Sequence, residues 1–224
     1  MKKTKIALLV AASLGLSAQA FANGGTSPVQ KDHSFLSHIM LRLRGIAIVP
    51  DASSSPISTI GGHVTDISKQ IVPELDISYF FNKNLSAELI LATSKHKVAA
   101  TGTVLGRVPL GSVWLLPPTL VLQYHILPDA KIDPYIGAGV NYTYFYNPNS
   151  GPVATKIDYQ SSWGPALDVG ADIALHNNWS VNLDVKKVWI DSHVKVTAPG
   201  VPTLKTKVKI NPWIFGVGIG YRFS

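Results

Sequence analysis

Asp191, Ser192 and His193 stand side by side, and a carboxylate, an imidazole and a hydroxyl are the parts of a nucleophilic hydrolase site. Adjacent residues of an extended strand point to opposite faces, however, so this triplet cannot converge on one substrate atom. The seven histidines (His33, His38, His63, His96, His125, His176 and His193) show no paired spacing on one face, so no metal site is expected. The chain has no cysteine, no G-x-S-x-G and no phosphate or dinucleotide fingerprint. Neither catalysis nor a cofactor is expected.

A second set of polar residues is more informative. Arg42, Arg44, Glu74, Asp76, Glu88, Gln123, His125, Asn141, Asp168, Asp172, Asn182, Asp184 and Arg222 each occupy a position that alternates with apolar neighbours. Charges of both signs confined to one face point to an enclosed polar space, where buried charges must pair or stay wet.

Eight alternating segments carry this pattern: residues 39–49, 72–81, 85–93, 118–127, 133–146, 163–175, 179–190 and 215–224. In the seventh the alternation lapses at Lys186-Lys187, which reads as a β-bulge. Asn82-Lys83-Asn84, Pro128-Asp129 and His176-Asn177-Asn178 make short turns, the asparagines by tolerating left-handed backbone angles. The other connections are long. Aromatic residues near strand ends (Tyr79, Phe80, Phe81, Trp163, Trp179, Trp189, Trp213, Tyr221 and Phe223) read as interfacial girdles.

Residues 1–22 have a basic start, a short apolar run and small residues at Ala20 and Ala22, the pattern of a signal peptide cleaved after Ala22. The whole chain carries a formal charge of +7, and the remainder, residues 23–224, holds 17 basic against 13 acidic side chains. That excess is dispersed, which argues against nucleic acid. The charged fraction of 15% is low, yet no later apolar stretch is long enough for a spanning helix. An exported, apolar chain with period-two patterning is expected to be all-β: an eight-stranded antiparallel transmembrane β-barrel with short periplasmic turns and long extracellular loops. The long–short rhythm of its connections places both termini in the periplasm of a Gram-negative cell. A soluble lipocalin-like barrel would put the apolar parity inside instead.

Leu116-Pro117-Pro118-Thr119, DPYIGAGVNYTYF (133–145), SWGPALDVGAD (162–172), WSVNLDV (179–185) and NPWIFGVGIGYRF (211–223) together resemble the outer membrane protein W (OmpW) family. The resemblance implies a monomeric barrel in outer-membrane lipid, forming a narrow channel or pocket for small hydrophobic molecules, with no catalytic residues. It also implies a second reading, a barrel that stabilises the envelope or serves as a receptor for phage or bacteriocins. The ending Gly218-x-x-Tyr221-x-Phe223 resembles the signal read by the barrel-assembly machinery, although Ser224 follows the aromatic that usually ends such chains.

An eight-stranded interior is just wide enough for side chains to fill. The polar set is therefore expected to act as a plug, or else as a polar constriction. With a plug, a solute would enter at the loop end and leave through the wall. Residues 98–119 are unusually apolar for a loop, and Val104, Leu105, Trp114 and Leu116, with Ile57, Ile60 and Val64 of the first loop, are expected either to line a pocket at the mouth or to pack together above the strands. Gly216, Gly218 and Gly220 would leave room inside the closing strand for Arg42 and Arg44.

Overall fold

The computed structural model describes residues 35–57, 61–152, 155–197, 200 and 203–223. The expected signal peptide, Ile60 and Ser224 lie outside the described residues.

A 3-10 turn (Phe35–His38) leads into β1 (Ile39–Val49), β2 (Ser53–Ser54), β3 (His63–Ile67), β4 (Gln70–Phe80) and β5 (Leu85–Ala92). Then follow β6 (Ser94–Thr103), β7 (Gly106–Leu116), β8 (Thr119–His125), β9 (Ile132–Ser150) and β10 (Lys156–Tyr159). The chain ends with β11 (Ser162–Ala174), β12 (Trp179–Val188), β13 (Asp191–Thr197), β14 (Leu204–Lys209) and β15 (Trp213–Arg222).

Eight of these strands, β1, β4, β5, β8, β9, β11, β12 and β15, pair antiparallel in that order, and β15 pairs back onto β1. The ring is closed, so no edge is left unpaired. At the seam Arg42 lies opposite Gly220, Arg44 opposite Gly218 and Ile46 opposite Gly216. A Cβ on Gly218 would sit 2.1 Å from the Leu43 carbonyl oxygen, and one on Gly220 would sit 3.3 Å from Arg42 Cγ. The glycine face exists because the β1 backbone at Gly218, and the Met40, Ser180, Arg42, Arg44 and Ile46 side chains around Gly216 and Gly220, leave little or no room for a Cβ.

The outward parity is apolar. Leu43 is 56% exposed, Val217 56% and Ile219 49%, with Leu75, Leu120, Ile136 and Leu183 alongside. Side chains of this kind at half exposure all round a sheet match a lipid-facing wall and rule out the lipocalin arrangement.

The long connections are themselves β-structure. The β6–β7 hairpin extends the wall by pairing with the far end of β9, and β3 adds to its edge. β10, β13, β14 and β2 form a second sheet. Their inner faces (Ile57, Val64, Val108, Leu115, Val194 and Val208 among them) form one apolar core with Ile46, Ile48, Val188 and Ile214 of the ring.

The short turns use two devices. Asn177 and Asn178 adopt positive φ, 55° and 65°. Asn82 does not; its side-chain oxygen accepts hydrogen bonds from the Asn84 and Leu85 amides, both at 2.9 Å. Two further expectations are corrected. β12 keeps an unbroken register past Lys186 and Lys187, without a bulge, because Lys186 points inward to carboxylate partners. Phe80 is buried inside the ring, against His125, rather than in a girdle.

Candidate functional site

Inside the ring the charged side chains meet at one level. Arg42 is held by Glu88 (2.8 Å), by Ser78 and by both oxygens of Asp172. Arg44 Nε lies 2.7 Å from Asp76 and 3.0 Å from Glu74. Both carboxylates are off the N–H direction, so these are ion pairs rather than aligned hydrogen bonds. Arg44 also reaches Asp184, Glu88 and, at 2.9 Å, the Asn182 side-chain oxygen.

Lys186 bridges Glu74 (3.0 Å) and Asp184. Gln123 donates to Glu88 and Asp168, both at 2.8 Å. The Tyr135 hydroxyl donates to Asp184 at 3.0 Å and accepts from Asn182. His125 lies 2.7 Å from Asp133 nearer the short turns, and Arg222 lies over the Phe80 ring at 4.0 Å. The sequence-derived polar set therefore converges, except that Arg222 stands apart at the rim and Asn141 bonds to Thr119 and the Pro117 carbonyl above the network. The arrangement is a floor of ion pairs. Ser86 Oγ does lie 3.2 Å from His125 Nε2, whose Nδ1 lies 2.7 Å from Asp133, but Ser86 and His125 are fully buried. Among the described residues no cluster of three or more His, Cys, Asp or Glu side chains could hold a metal ion.

Above the floor the same inward parity turns apolar. Ile46 and Ile48 follow Arg42 and Arg44 on β1; Ile90 follows Glu88 on β5; Val188 follows Lys186 on β12 and leads to Ile190. With Ile210 and Ile214 they surround a narrow cavity of about 40 Å³. Its lower wall is Glu74 and Lys186; Pro117, Pro212 and His96 complete it. It is a narrow, greasy chamber closed below by charge. A larger groove of about 700 Å³ runs over Leu122, Ile136, Leu167 and Val185, but these belong to the outward parity and form part of the lipid-facing wall.

The pocket residues expected from the loops need correction. Val104 and Leu105 sit at the exposed tip of the β6–β7 hairpin, 83% and 70% exposed. Trp114 faces outward, with its ring 6.0 Å from Tyr146 and Lys95 above it. Leu116 shares that face, whereas Ile57 and Val64 are buried in the core. The cause is local. Gly111, at φ 129°, and a register shift between Ser112 and Trp114 reset the alternation, so Val108 and Leu110 point inward on one side and Val113 and Leu115 on the other. The chamber residues and Lys186 were missed, although a readable signal existed: several inward faces switch from charged to apolar at the same height.

The Asp191–His193 triplet does not form a site. Ser192 is buried and donates to the Gln160 carbonyl at 2.8 Å, His193 is exposed, and Asp191 pairs with Lys207.

His96, on the loop strand β6, gives the chamber one titratable wall. Its Nδ1 lies 2.7 Å from the Ser68 carbonyl and its Nε2 lies 2.9 Å from the Ser94 hydroxyl, so the neutral ring donates to the first and accepts from the second. Burial holds the imidazole below its usual range, outweighing the Ser68 carbonyl, which pulls it up. Below about pH 6.5 the unfolded chain takes up a proton that the folded chain resists, so folding weakens as pH falls through that window. Wild-type protein in detergent should lose heat resistance between about pH 7 and 5, and His96→Gln should flatten that loss; identical pH profiles would contradict the assignment.

A family model described as the OmpW family matches residues 37–223. The chain belongs to the OmpW family. The chain is 32% identical to outer membrane protein W of Vibrio cholerae serotype O1 over 233 residues, covering all of both chains. It is 42% identical to the uncharacterized outer-membrane protein y4mB of Sinorhizobium fredii over 188 residues, 84% of this chain and 81% of that one. A dibenzothiophene metabolism operon protein, PahQ of Pseudomonas aeruginosa, is 29% identical over 73% of this chain and 77% of its own. Among solved structures, the outer membrane protein OprG of Pseudomonas aeruginosa superposes with a TM-score of 0.77 at 29% identity, covering 83% of this chain and 95% of that one. This OmpW-family protein is an outer-membrane β-barrel.

Proposed function

We propose that the barrel takes up small hydrophobic molecules at its long-loop end, holds them in the apolar chamber and releases them sideways into the bilayer. The chamber itself carries this reading: a greasy inward wall closed below by a floor of buried ion pairs admits an apolar solute and blocks its straight descent. The long loops then face outside the cell and the short turns face the periplasm. A relative named for dibenzothiophene metabolism agrees with a small apolar cargo.

The sideways route has a candidate window. Ring pairing between β5 and β8 stops at Ile90 and Thr119, and loop pairing resumes at Ser94 and Leu115. Between them lie Pro117 and Pro118, which have no N–H to offer β5, and Pro117 lines the chamber beside Ala92. No step of this function is catalytic.

The test is transfer of N-phenyl-1-naphthylamine by protein reconstituted in vesicles. Ile46→Glu places a carboxylate in the chamber and should reduce transfer at least about tenfold, since an unpaired charge there is strongly disfavoured. Trp114→Ala/Leu116→Ala, outside the chamber, should transfer like wild type. Unchanged transfer by Ile46→Glu, with folding verified by heat-modifiable gel migration, would sink the proposal.

A further inference from the structure

The charge of the barrel is sorted along its length. Among residues 35–223, ten lysines and arginines lie at the long-loop end against four aspartates (Asp51, Asp66, Asp158 and Asp191). Inside the ring three cations face six carboxylates, and at the short turns Lys83, Lys131 and Arg222 face Asp129 and Asp133. The positive excess therefore sits almost wholly above one rim.

Much of it lies on a single surface. Every even-numbered residue from Asn182 to Val196 and from Leu204 to Ile214 is buried, so the odd-numbered residues form one unbroken outward face. That face is lipid wall at Leu183, Val185, Phe215 and Val217. It becomes interface where Lys187 lies 4.7 Å over the Trp213 ring. Above that, Lys195 stands opposite Lys205, His193 opposite Lys207 and Asp191 opposite Lys209. On the neighbouring strand Lys156 shares the face and Asp158 lies opposite Lys195. Six lysines meet three aspartates here: Asp191 pairs with Lys207 (2.8 Å), Asp158 with Lys156 (2.8 Å) and Asp51 with Lys187 (3.4 Å). An excess of three positive charges remains.

We infer that this lysine ladder binds the phosphates of a multiply phosphorylated glycolipid standing in the leaflet beside it. Because the ladder continues the lipid-facing wall, a lipid packed against Val185 and Phe215 brings its headgroup phosphates to Lys187 and Lys209 at the foot of the ladder. Lysines two residues apart on a strand repeat at about 6.7 Å, and neighbouring strands lie about 4.8 Å apart. Several phosphates on one headgroup can therefore each find an ammonium. Lysine suits this role as a point-charge binder of phosphate, and the excess of like charge on one sheet face is offset when such a lipid is present. The orientation in the cell follows the functional reading above, but the binding itself does not depend on it.

The experiment is a titration of full-length protein in zwitterionic micelles with bisphosphorylated lipid A, followed by Trp fluorescence. Lys195→Gln/Lys205→Gln/Lys207→Gln/Lys209→Gln should weaken binding at least tenfold and flatten its salt dependence. Lys83→Gln/Lys131→Gln, at the short turns, should bind like wild type. Excess inorganic phosphate should not compete, because it lacks the acyl chains that fix the headgroup. Independently of any variant, bound lipid A should protect the ladder lysines of wild-type protein from acetylation. Equal binding by the ladder variant, equal loss in the control variant, displacement by excess free phosphate or absence of protection would each overturn the inference. None of these outcomes bears on transfer of apolar solute, which is read separately.

Discussion

Arg44→Ala should cost about 3–5 kcal/mol, the range seen when one partner of a buried ion pair is removed. Arg44 is buried against Glu74, Asp76, Glu88 and Asp184, and those carboxylates have few other cations. Truncation leaves several negative charges facing one another across a narrow interior. Arg44→Lys should recover only part of the loss, because one ammonium cannot contact four carboxylates spread over three strands. Arg44→Ala/Glu88→Gln should recover some of it by a different route, through removal of a stranded charge, and the two substitutions should not be additive. Urea unfolding in detergent, followed by gel migration, measures each step. Wild-type stability in Arg44→Ala would mean that the floor is wet and loosely held.

Gly218→Ala should have an effect of similar size for a different reason. The new Cβ would lie 2.1 Å from the Leu43 oxygen and 2.6 Å from Arg44 Cα, both main-chain-side atoms that cannot rotate away. β15 would have to move off β1, and a barrel that cannot close leaves strand edges exposed in lipid. Gly45→Ala is the matched control. It lies in the same seam, opposite Val217, but on the lipid side, where its Cβ meets only the Val217 oxygen at 4.0 Å. Refolding yield should therefore collapse for Gly218→Ala and hold for Gly45→Ala.

These two positions also show how much the sequence discloses. Period-two alternation places Arg42, Arg44, Glu74 and Asp184 on one parity, and closure turns parity into an inside and an outside. Most of the polar floor was therefore legible, as was the room that the closing-strand glycines leave for Arg42 and Arg44, while the pairing of Gly218 with Arg44 followed only from the register. Lys186 was not, because its inward position depends on Glu74, which is distant in sequence and adjacent only after closure. The chamber was obscured for another reason. Attention goes naturally to apolar loop residues such as Val104 and Trp114, while Ile46 and Ile214 look like ordinary strand residues. Their role appears only when the inward face is compared strand by strand at one height. Gly111 shows the remaining limit, since one positive-φ residue reverses the facing of the loop strand beyond it.

The most direct measurement is solute transfer and ionic current on the same reconstituted protein. The expected result is saturable N-phenyl-1-naphthylamine transfer, abolished by Ile46→Glu, with no steady single-channel current, because the ionic floor stays closed while the wall opens. A persistent ionic current, with transfer no greater than in protein-free bilayers, would contradict the account: the floor would then be a pore, and the chamber above it merely packed core.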